Sequence, residues 1–171
     1  MAGKLIIGIC GPSGAGKSEL RKQLPPHEWI YFARAIKQGL EAMGVPGHYL
    51  YDPEFKNVPV PELGGYTSRH AMRTLGTEWG RDHIDPNLWV NFWEKAVEAS
   101  TSEIIVVDDL RFAEEVAAIQ KFDHKFVEVL RPGYSYGGHR SEQFDAKRWG
   151  IPSIVNDGTP EELYQKFMKL G

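Results

Sequence analysis

The stretch Gly11-Pro12-Ser13-Gly14-Ala15-Gly16-Lys17-Ser18 constrains this chain most. It fits G-x-x-x-x-G-K-[ST], in which glycines let successive backbone N–H groups turn inward around phosphate oxygens at a helix N-terminus. The pattern needs a strand before it and a helix after it. Residues 5–10 form an almost continuous apolar run, suited to a parallel strand covered on both faces. Glu19 to Leu24 reads as a helix start, ended by Pro25-Pro26. In that context Gly11, Ser13, Gly14, Ala15, Gly16, Lys17, Ser18 and Glu19 become candidate ATP-binding residues. Lys17 is placed to reach the β- and γ-phosphates, and the Ser18 hydroxyl to sit on Mg²⁺.

Strands and helices alternate along the rest of the chain. Trp29-Ile30-Tyr31-Phe32 is a short strand candidate, and Ala33, Ile36, Leu40 and Met43 then recur at helical spacing before Gly44. Residues 45–65, rich in Pro, Gly and Tyr, read as a long loop or flap with a binding role. Thr67 or Ser68 caps a helix carrying Met72, Leu75 and Trp79, with a break expected near Gly76 and Gly80. Asp85-Pro86 opens the strongest amphipathic helix, with Trp89, Phe92, Trp93, Ala96 and Val97 on one stripe that reads as core. Residues 104–107 are a buried strand, 112–122 a helix, 126–130 a strand and 153–155 a last strand. Thr159-Pro160-Glu161-Glu162 is a capping box opening a final helix with Leu163, Phe167 and Leu170 inward. The expected fold is a three-layer α/β domain, a five-stranded, mostly parallel sheet with helices on both faces. The chain reads as a single domain, 1–171, with a core at about 1–32 and 101–171, an acceptor-binding insertion at about 33–100 and a short lid at about 131–149.

Composition narrows the function classes. A formal net charge of −3 gives no broad basic field, so no polymeric nucleic acid is expected as a partner. The single cysteine, Cys10, excludes an intramolecular disulfide and reads as a small buried hydrophobe. No run approaches a membrane span, and the apolar run from Leu5 is too short for a signal peptide, so a cytoplasmic setting is expected.

Asp108 and Asp109 end a run of four aliphatics, the form of a Walker B strand whose acid holds Mg²⁺ directly or through water. In an open α/β sheet both would meet Lys17 and Ser18 beyond the carboxyl ends of the strands. Phosphoryl transfer between two phosphates brings roughly five or six negative charges together and calls for several guanidinium groups. Arg34, Arg69, Arg73 and Arg81 lie between the first strand and Asp108; Arg111 follows it; Arg131, Arg140 and Arg148 fall in the late polar segment. Arg69 and Arg73, one helical turn apart, are placed to face one anion, whereas Arg21 reads as a solvated surface group. A phosphate acceptor is already ionised near neutral pH, its second pKa being about 6, so it needs no strong general base. The arginine content therefore favours a monophosphate acceptor. The six histidines are scattered and suggest no zinc site.

Four further islands resemble one family. Leu75-Gly76-Thr77-Glu78-Trp79-Gly80-Arg81 resembles the L-G-T-E-x-G-R signature of the phage deoxynucleoside monophosphate kinases typified by the T-even enzyme. Asp109-Leu110-Arg111-Phe112 with Glu115 resembles its D-x-R-F segment, His139-Arg140-Ser141-Glu142 its lid segment, and Asn156-Asp157-Gly158-Thr159 its N-D-G-T turn. The resemblance implies a P-loop kinase fold that moves the ATP γ-phosphate to a deoxynucleoside 5′-monophosphate with Mg²⁺. It implies donor-side roles for Gly11 to Ser18 and Asn156 and a metal-side role for Asp109, with Asp108 a second candidate. It also implies acceptor-side roles for Thr77, Glu78 and Arg81, with Arg69 and Arg73 as neighbours; Arg34, Lys37, Trp79, Asp82 and Arg111 are further acceptor-side candidates. Lys17, Arg131 and Arg140 are the candidate catalytic residues. The implied partners are ATP and the deoxynucleotide, in the host cytoplasm for a phage-encoded chain, with a homodimer left open. Two other readings stand beside it: a small-metabolite kinase of the shikimate, gluconate or dephospho-coenzyme A type, and an ATP-dependent switch or assembly factor.

Overall fold

The computed structural model describes residues 3–170. The chain divides into two compact units, one made of Met1–Tyr31 and Ala96–Gly171, the other of Phe32–Lys95.

The first unit is built on a five-stranded sheet, β1 (Leu5–Cys10), β2 (Glu28–Trp29), β3 (Ile104–Val107), β4 (Asp123–Leu130) and β5 (Ser153–Val155). Its order is β2-β3-β1-β4-β5, and every pair is parallel. Apolar residues alternate across the sheet because successive side chains point to opposite faces. Ile7 and Ile9 of β1, Val106 of β3, Val127 and Val129 of β4 and Ile154 of β5 share one buried cluster. Helix α1 (Lys17–Gln23) adds Leu20 to it, and the final helix, Pro160–Met168, adds Leu163 and Phe167. On the opposite face Gly8 lies so close to Phe126 and Ile119 that a Cβ there would sit 2.7 Å from the Phe126 ring. The chain leaves β1 toward β2 and β3, then crosses back over β1 to β4. The ends of β1 and β3 therefore flank the point where strand order reverses, where open α/β sheets hold their ligands. The register Gly8↔Val107 carries Asp108 and Asp109 alongside the end of β1.

The second unit is helical. It contains α2 (Arg34–Ala42), α3 (Gly47–Tyr51) and α4 (Ser68–Arg73), and Ile36, Leu40, Val45, Leu50, Val60 and Trp89 form its core. Thr67 caps α4 as expected, its hydroxyl accepting from the His70 N–H. Residues 45–65 are not the open flap expected from composition. They hold α3 and a 3₁₀ turn, Pro61–Leu63, and Leu50 and Val60 are fully buried. The break expected at Gly76 and Gly80 does not occur either. The helix continues from α4 as a wider π-helix, Thr74–Ile84, closed by the bond from Asp85 N–H to Gly80 C=O. The glycines are what permit this. A Cβ at Gly76 would lie 2.9 Å from Ile36, and one at Gly80 2.5 Å from the Trp89 indole. That indole donates Nε1–H to the Gly76 carbonyl at 2.6 Å. Packing thus outweighs the helix-breaking tendency of glycine, which is only about 1 kcal/mol per residue.

Helix α5 (Leu88–Ala99) starts later than Pro86, because Asp85 accepts from the Asn87 N–H and closes a turn first. Its buried face carries Trp89, Val90, Trp93 and Val97, and Phe92 is half exposed rather than part of the stripe. The strand expected over residues 29–32 is shorter and earlier, since only Glu28 and Trp29 pair with β3. Helix α6 (Ala113–Ile119) and α7 (Pro160–Met168) complete the chain, α7 opening on the expected capping box. Among the described residues no helix is long and apolar enough to cross a membrane.

The glycine contacts give a direct test. Gly80→Ala is expected to destabilise the protein by about 1–3 kcal/mol through overpacking against buried Trp89. Gly39→Ala, whose Cβ meets nothing within 4 Å on α2, is expected to stabilise it by about 0.5–1 kcal/mol. Urea unfolding of the two variants checks both signs.

Candidate functional site

The loop between β1 and α1 is held in a backbone form that glycine alone adopts readily. Gly11, Gly14 and Gly16 have φ of 134°, 80° and 105°. A Cβ at Gly11 would lie 2.2 Å from the Val129 carbonyl oxygen of β4, and one at Gly16 2.2 Å from Asn156 Nδ2. Asn156 donates that amide to the Ala15 carbonyl at 2.9 Å, while Ala15 itself is fully buried. Ser13, Gly14, Ser18 and Glu19 are exposed on the loop and the first turn of α1. Glu19 forms a 3.0 Å surface pair with Lys22, worth little in stability.

Lys17 turns back onto its own loop and donates to the Gly11 and Pro12 carbonyls, both at 2.7 Å. Burial pulls its ammonium down to about 8; the neighbouring Arg111 charge acts the same way, and Asp108 and Asp109 oppose it. These electrostatic couplings place Arg111 and both aspartates around Lys17. Cys10, just before the loop, is buried at the end of β1, and burial followed by the Glu128 charge pushes its thiol up to about 12. It is a packing residue, not a nucleophile.

Asp108 and Asp109 differ. Asp108 is 7 % exposed, and its two oxygens accept from Trp29 Nε1 at 2.7 Å and Arg21 Nε at 2.9 Å. Arg21 is therefore not the solvated surface group its sequence position suggests. Its guanidinium also lies 4.0 Å from the Trp29 ring centroid, and Trp29 stacks on Tyr31 at 4.3 Å. Asp109 is partly exposed at the end of β3, one residue beyond.

The lid segment folds against this loop. Arg131 Nη1 donates to the Gly14 carbonyl at 3.4 Å, and the Tyr134 ring covers Gly14 closely enough that a Cβ there would be 2.5 Å away. Arg111 Nη1 donates to the Ser141 carbonyl at 3.3 Å, and its backbone N–H is fixed by buried Glu115 at 2.7 Å. His139 Nδ1 accepts from the Ser141 N–H, capping the turn Arg140–Glu142, where Arg140 is exposed. Arg148 is exposed on the turn Ala146–Trp149. Sequence reading missed a second anchor. Tyr136 donates its hydroxyl to Glu128 at 2.7 Å, and Ser153 donates to the other Glu128 oxygen at 2.6 Å. Burial and that bond push the Tyr136 phenol well above its ordinary range. The signal was a carboxylate in the apolar run Phe126-Val127-Glu128-Val129-Leu130, where a buried charge needs partners.

The acceptor-side candidates all belong to the second unit except Arg111, which lies beside Lys17. Arg69 and Arg73 are partly buried one turn apart on α4, and Arg34 is partly buried at the start of α2. Lys37 is buried with its ammonium 4.8 Å from the Tyr51 ring. In the π-helix Thr77 and Arg81 are buried, Arg81 Nη1 donating to the Pro86 carbonyl at 2.8 Å. Glu78, Trp79 and Asp82 are exposed.

With pKa depressed from 10.5 to about 8, Lys17 holds fewer protons folded than unfolded between those limits. Stability then rises with pH across that window, by about 3 kcal/mol in total. Lys17→Met is expected to lack this alkaline gain, which melting curves of both proteins between pH 7 and 10 check.

A family profile described as deoxynucleotide monophosphate kinase matches residues 55–167. The match takes in the islands at 75–81, 109–112, 139–142 and 156–159, but begins after the glycine-rich loop, which is thus independent support. No curated protein sequence matches the chain. Among solved structures, the chain is similar to TT1252 from Thermus thermophilus at TM-score 0.53 and 14 % identity, covering 98 % of this chain and 96 % of that one. That similarity speaks for the fold alone. The APS kinase CysC of Mycobacterium tuberculosis aligns at TM-score 0.39 and 16 % identity, covering 98 % of this chain and 96 % of that one. A sugar kinase from Janibacter sp. HTCC2649 aligns at 0.43 and 16 %, covering 98 % and 93 %. Neither adds weight.

Proposed function

Because the chain belongs to the deoxynucleotide monophosphate kinase family, we propose that it moves the γ-phosphoryl group of ATP onto a phosphate oxygen of a deoxynucleoside 5′-monophosphate. The products are ADP and the deoxynucleoside diphosphate. The observation that carries the donor side is the glycine loop with the partly buried Lys17 folded onto it, next to the acids that end β3.

In this reading Lys17 leaves the Gly11 and Pro12 carbonyls and bridges the donor phosphates, while Gly11 to Ser18 cradle them. Asn156 holds the loop through Ala15. The donor set suits a hard divalent cation, because the Ser18 hydroxyl and the Asp109 carboxylate are both oxygen ligands. Mg²⁺ bound there would neutralise charge on the β- and γ-phosphates. Arg131 and Arg140 close over the transferred group from the lid, excluding water and suppressing ATP hydrolysis. Arg69 and Arg73 take the acceptor phosphate, with Arg34 and Lys37 beside them. Arg81 completes the grip on that phosphate, and Thr77, Glu78, Trp79 and Asp82 of the π-helix serve the acceptor side. Arg111 steadies the lid at Ser141 and adds charge beside Lys17. The partners are ATP and the deoxynucleotide, without polymeric nucleic acid, in the cytoplasm, and a phage source fits the islands quoted above.

ADP release from Mg·ATP, measured with each deoxy- and ribonucleoside monophosphate in turn, tests the reading. Strong stimulation by one or a few deoxynucleotides is expected. Turnover indifferent to all of them would reject it in favour of a metabolite acceptor or a partner-dependent ATPase.

Lys17→Met is expected to lower kcat/KM for ATP by about 100-fold or more, since a charge-assisted phosphate contact is lost. In the unaltered protein kcat/KM for ATP should fall as pH rises through about 8, because the free enzyme then loses the Lys17 proton. The kcat profile should stay flatter, as bound phosphates hold the proton in place. Steady-state kinetics from pH 6.5 to 9.5 check both.

A further inference from the structure

Asp108, the first of the two acids that end β3, holds one donor on each carboxylate oxygen. We propose that Asp108 is a positioning residue, clamped by Arg21 and Trp29, and that it sets α1 against β3 so that Ser18 and Asp109 form the metal-side pair. The inference deepens the donor half of the kinase reading and rests on that half alone.

The geometry runs through three elements. Arg21 sits on α1, one turn after Lys17 and Ser18. Trp29 sits on edge strand β2, and Asp108 follows β3. One carboxylate joins all three, Oδ2 accepting from Arg21 at 2.9 Å and Oδ1 from Trp29 at 2.7 Å. At 7 % exposure it is nearly sealed, and the Arg21 side chain is 17 % exposed. A cation brought to Asp108 would have to share a nearly sealed carboxylate with a guanidinium that already neutralises it and is stacked on an indole. Taking either partner away would leave a buried charge unpaired. Asp108 is therefore unsuited to a metal that must come and go with each nucleotide. Its bond to Arg21 instead fixes the angle of the helix that carries Lys17 and Ser18. The two aspartates would divide the work, one orienting the phosphate-binding helix and the next meeting the metal.

Mn²⁺ binding in the presence of ADP, followed by electron paramagnetic resonance, reads the metal site without turnover or acceptor. Asp109→Asn is expected to weaken Mn²⁺ binding about tenfold or more and to lower the melting temperature less than Asp108→Asn does. Asp108→Asn is expected to lower the melting temperature clearly and to weaken Mn²⁺ binding by about two- to threefold. Arg21→Gln should mirror Asp108→Asn, and Arg21→Lys should recover part of the melting temperature and of the Mn²⁺ affinity. An Asp108→Asn loss of Mn²⁺ affinity as large as that of Asp109→Asn overturns the assignment. If Asp108→Asn does not fold, Asp109→Asn alone decides, because retained Mn²⁺ affinity overturns it. Arg21→Gln with a lowered melting temperature but unchanged Mn²⁺ affinity reduces Arg21 to packing and overturns its positioning role. No Mn²⁺·ADP binding by the unaltered protein removes the donor-site reading and this inference with it, an outcome distinct from equal losses in the two variants. A deoxynucleotide panel without stimulation touches neither measurement.

Discussion

The backbone of the glycine loop is shaped by parts of the chain far from it in sequence. Gly11 packs against the carbonyl of Val129, on the strand that pairs with β1 on one side. Gly16 packs against Asn156, just past the strand beyond, and the same side chain ties down the Ala15 carbonyl. Side chains at these positions would both strain the left-handed backbone and collide with fixed atoms. The phosphate cradle is therefore not a local motif that folds by itself. It exists only once β4 and β5 have joined β1, so the order of the sheet and the shape of the loop are one constraint.

Around that cradle the protein keeps several charges out of water, and the way each is compensated separates framework from function. Asp108 has a guanidinium and an indole N–H on its two oxygens. Glu128 has two hydroxyl donors, one of them from the lid segment. Both are well satisfied, as a buried carboxylate must be to persist. Lys17 is different. Its ammonium rests on backbone carbonyls, and burial first, then the Arg111 charge, lowers its affinity for a proton. A polyanion arriving at the loop would relieve that deficit. The cost carried by the unliganded protein thus becomes binding free energy that is gained only when phosphates are present.

How much of this could be read from the sequence follows from how far each feature reaches. The loop, its flanking strand, the Thr67 cap and the capping box at Thr159 depend on residues within a few positions, and composition announces them. That Asp108 and Asp109 follow a buried strand was legible for the same reason. The π-helix was not, because Gly76 and Gly80 are breakers by propensity and become necessary only when Trp89 packs on them. Residues 45–65 read as a flap because Pro, Gly and Tyr dominate, while a few scattered apolar residues, Val45, Leu50 and Val60, bind the segment to a core. Arg21 gave no signal at all. Its partner lies 87 positions away, and nothing in a lone arginine on a short helix distinguishes an anchor from a solvated side chain.

The island at residues 75–81 shows why a motif should not be assigned one role as a block. Gly76, Thr77, Gly80 and Arg81 are buried, and they fall four apart in pairs along the π-helix. The glycines seat Trp89 and Ile36, and Arg81 ties the helix to Pro86. These residue types are demanded by the fold. Glu78 and Trp79 point elsewhere: Trp79 is half exposed, its ring 6.4 Å from Trp89, and packing does not require an indole there. The island thus carries two kinds of residue, a buried set that holds the π-helix in place and an exposed pair, Glu78 and Trp79, that packing leaves at the surface.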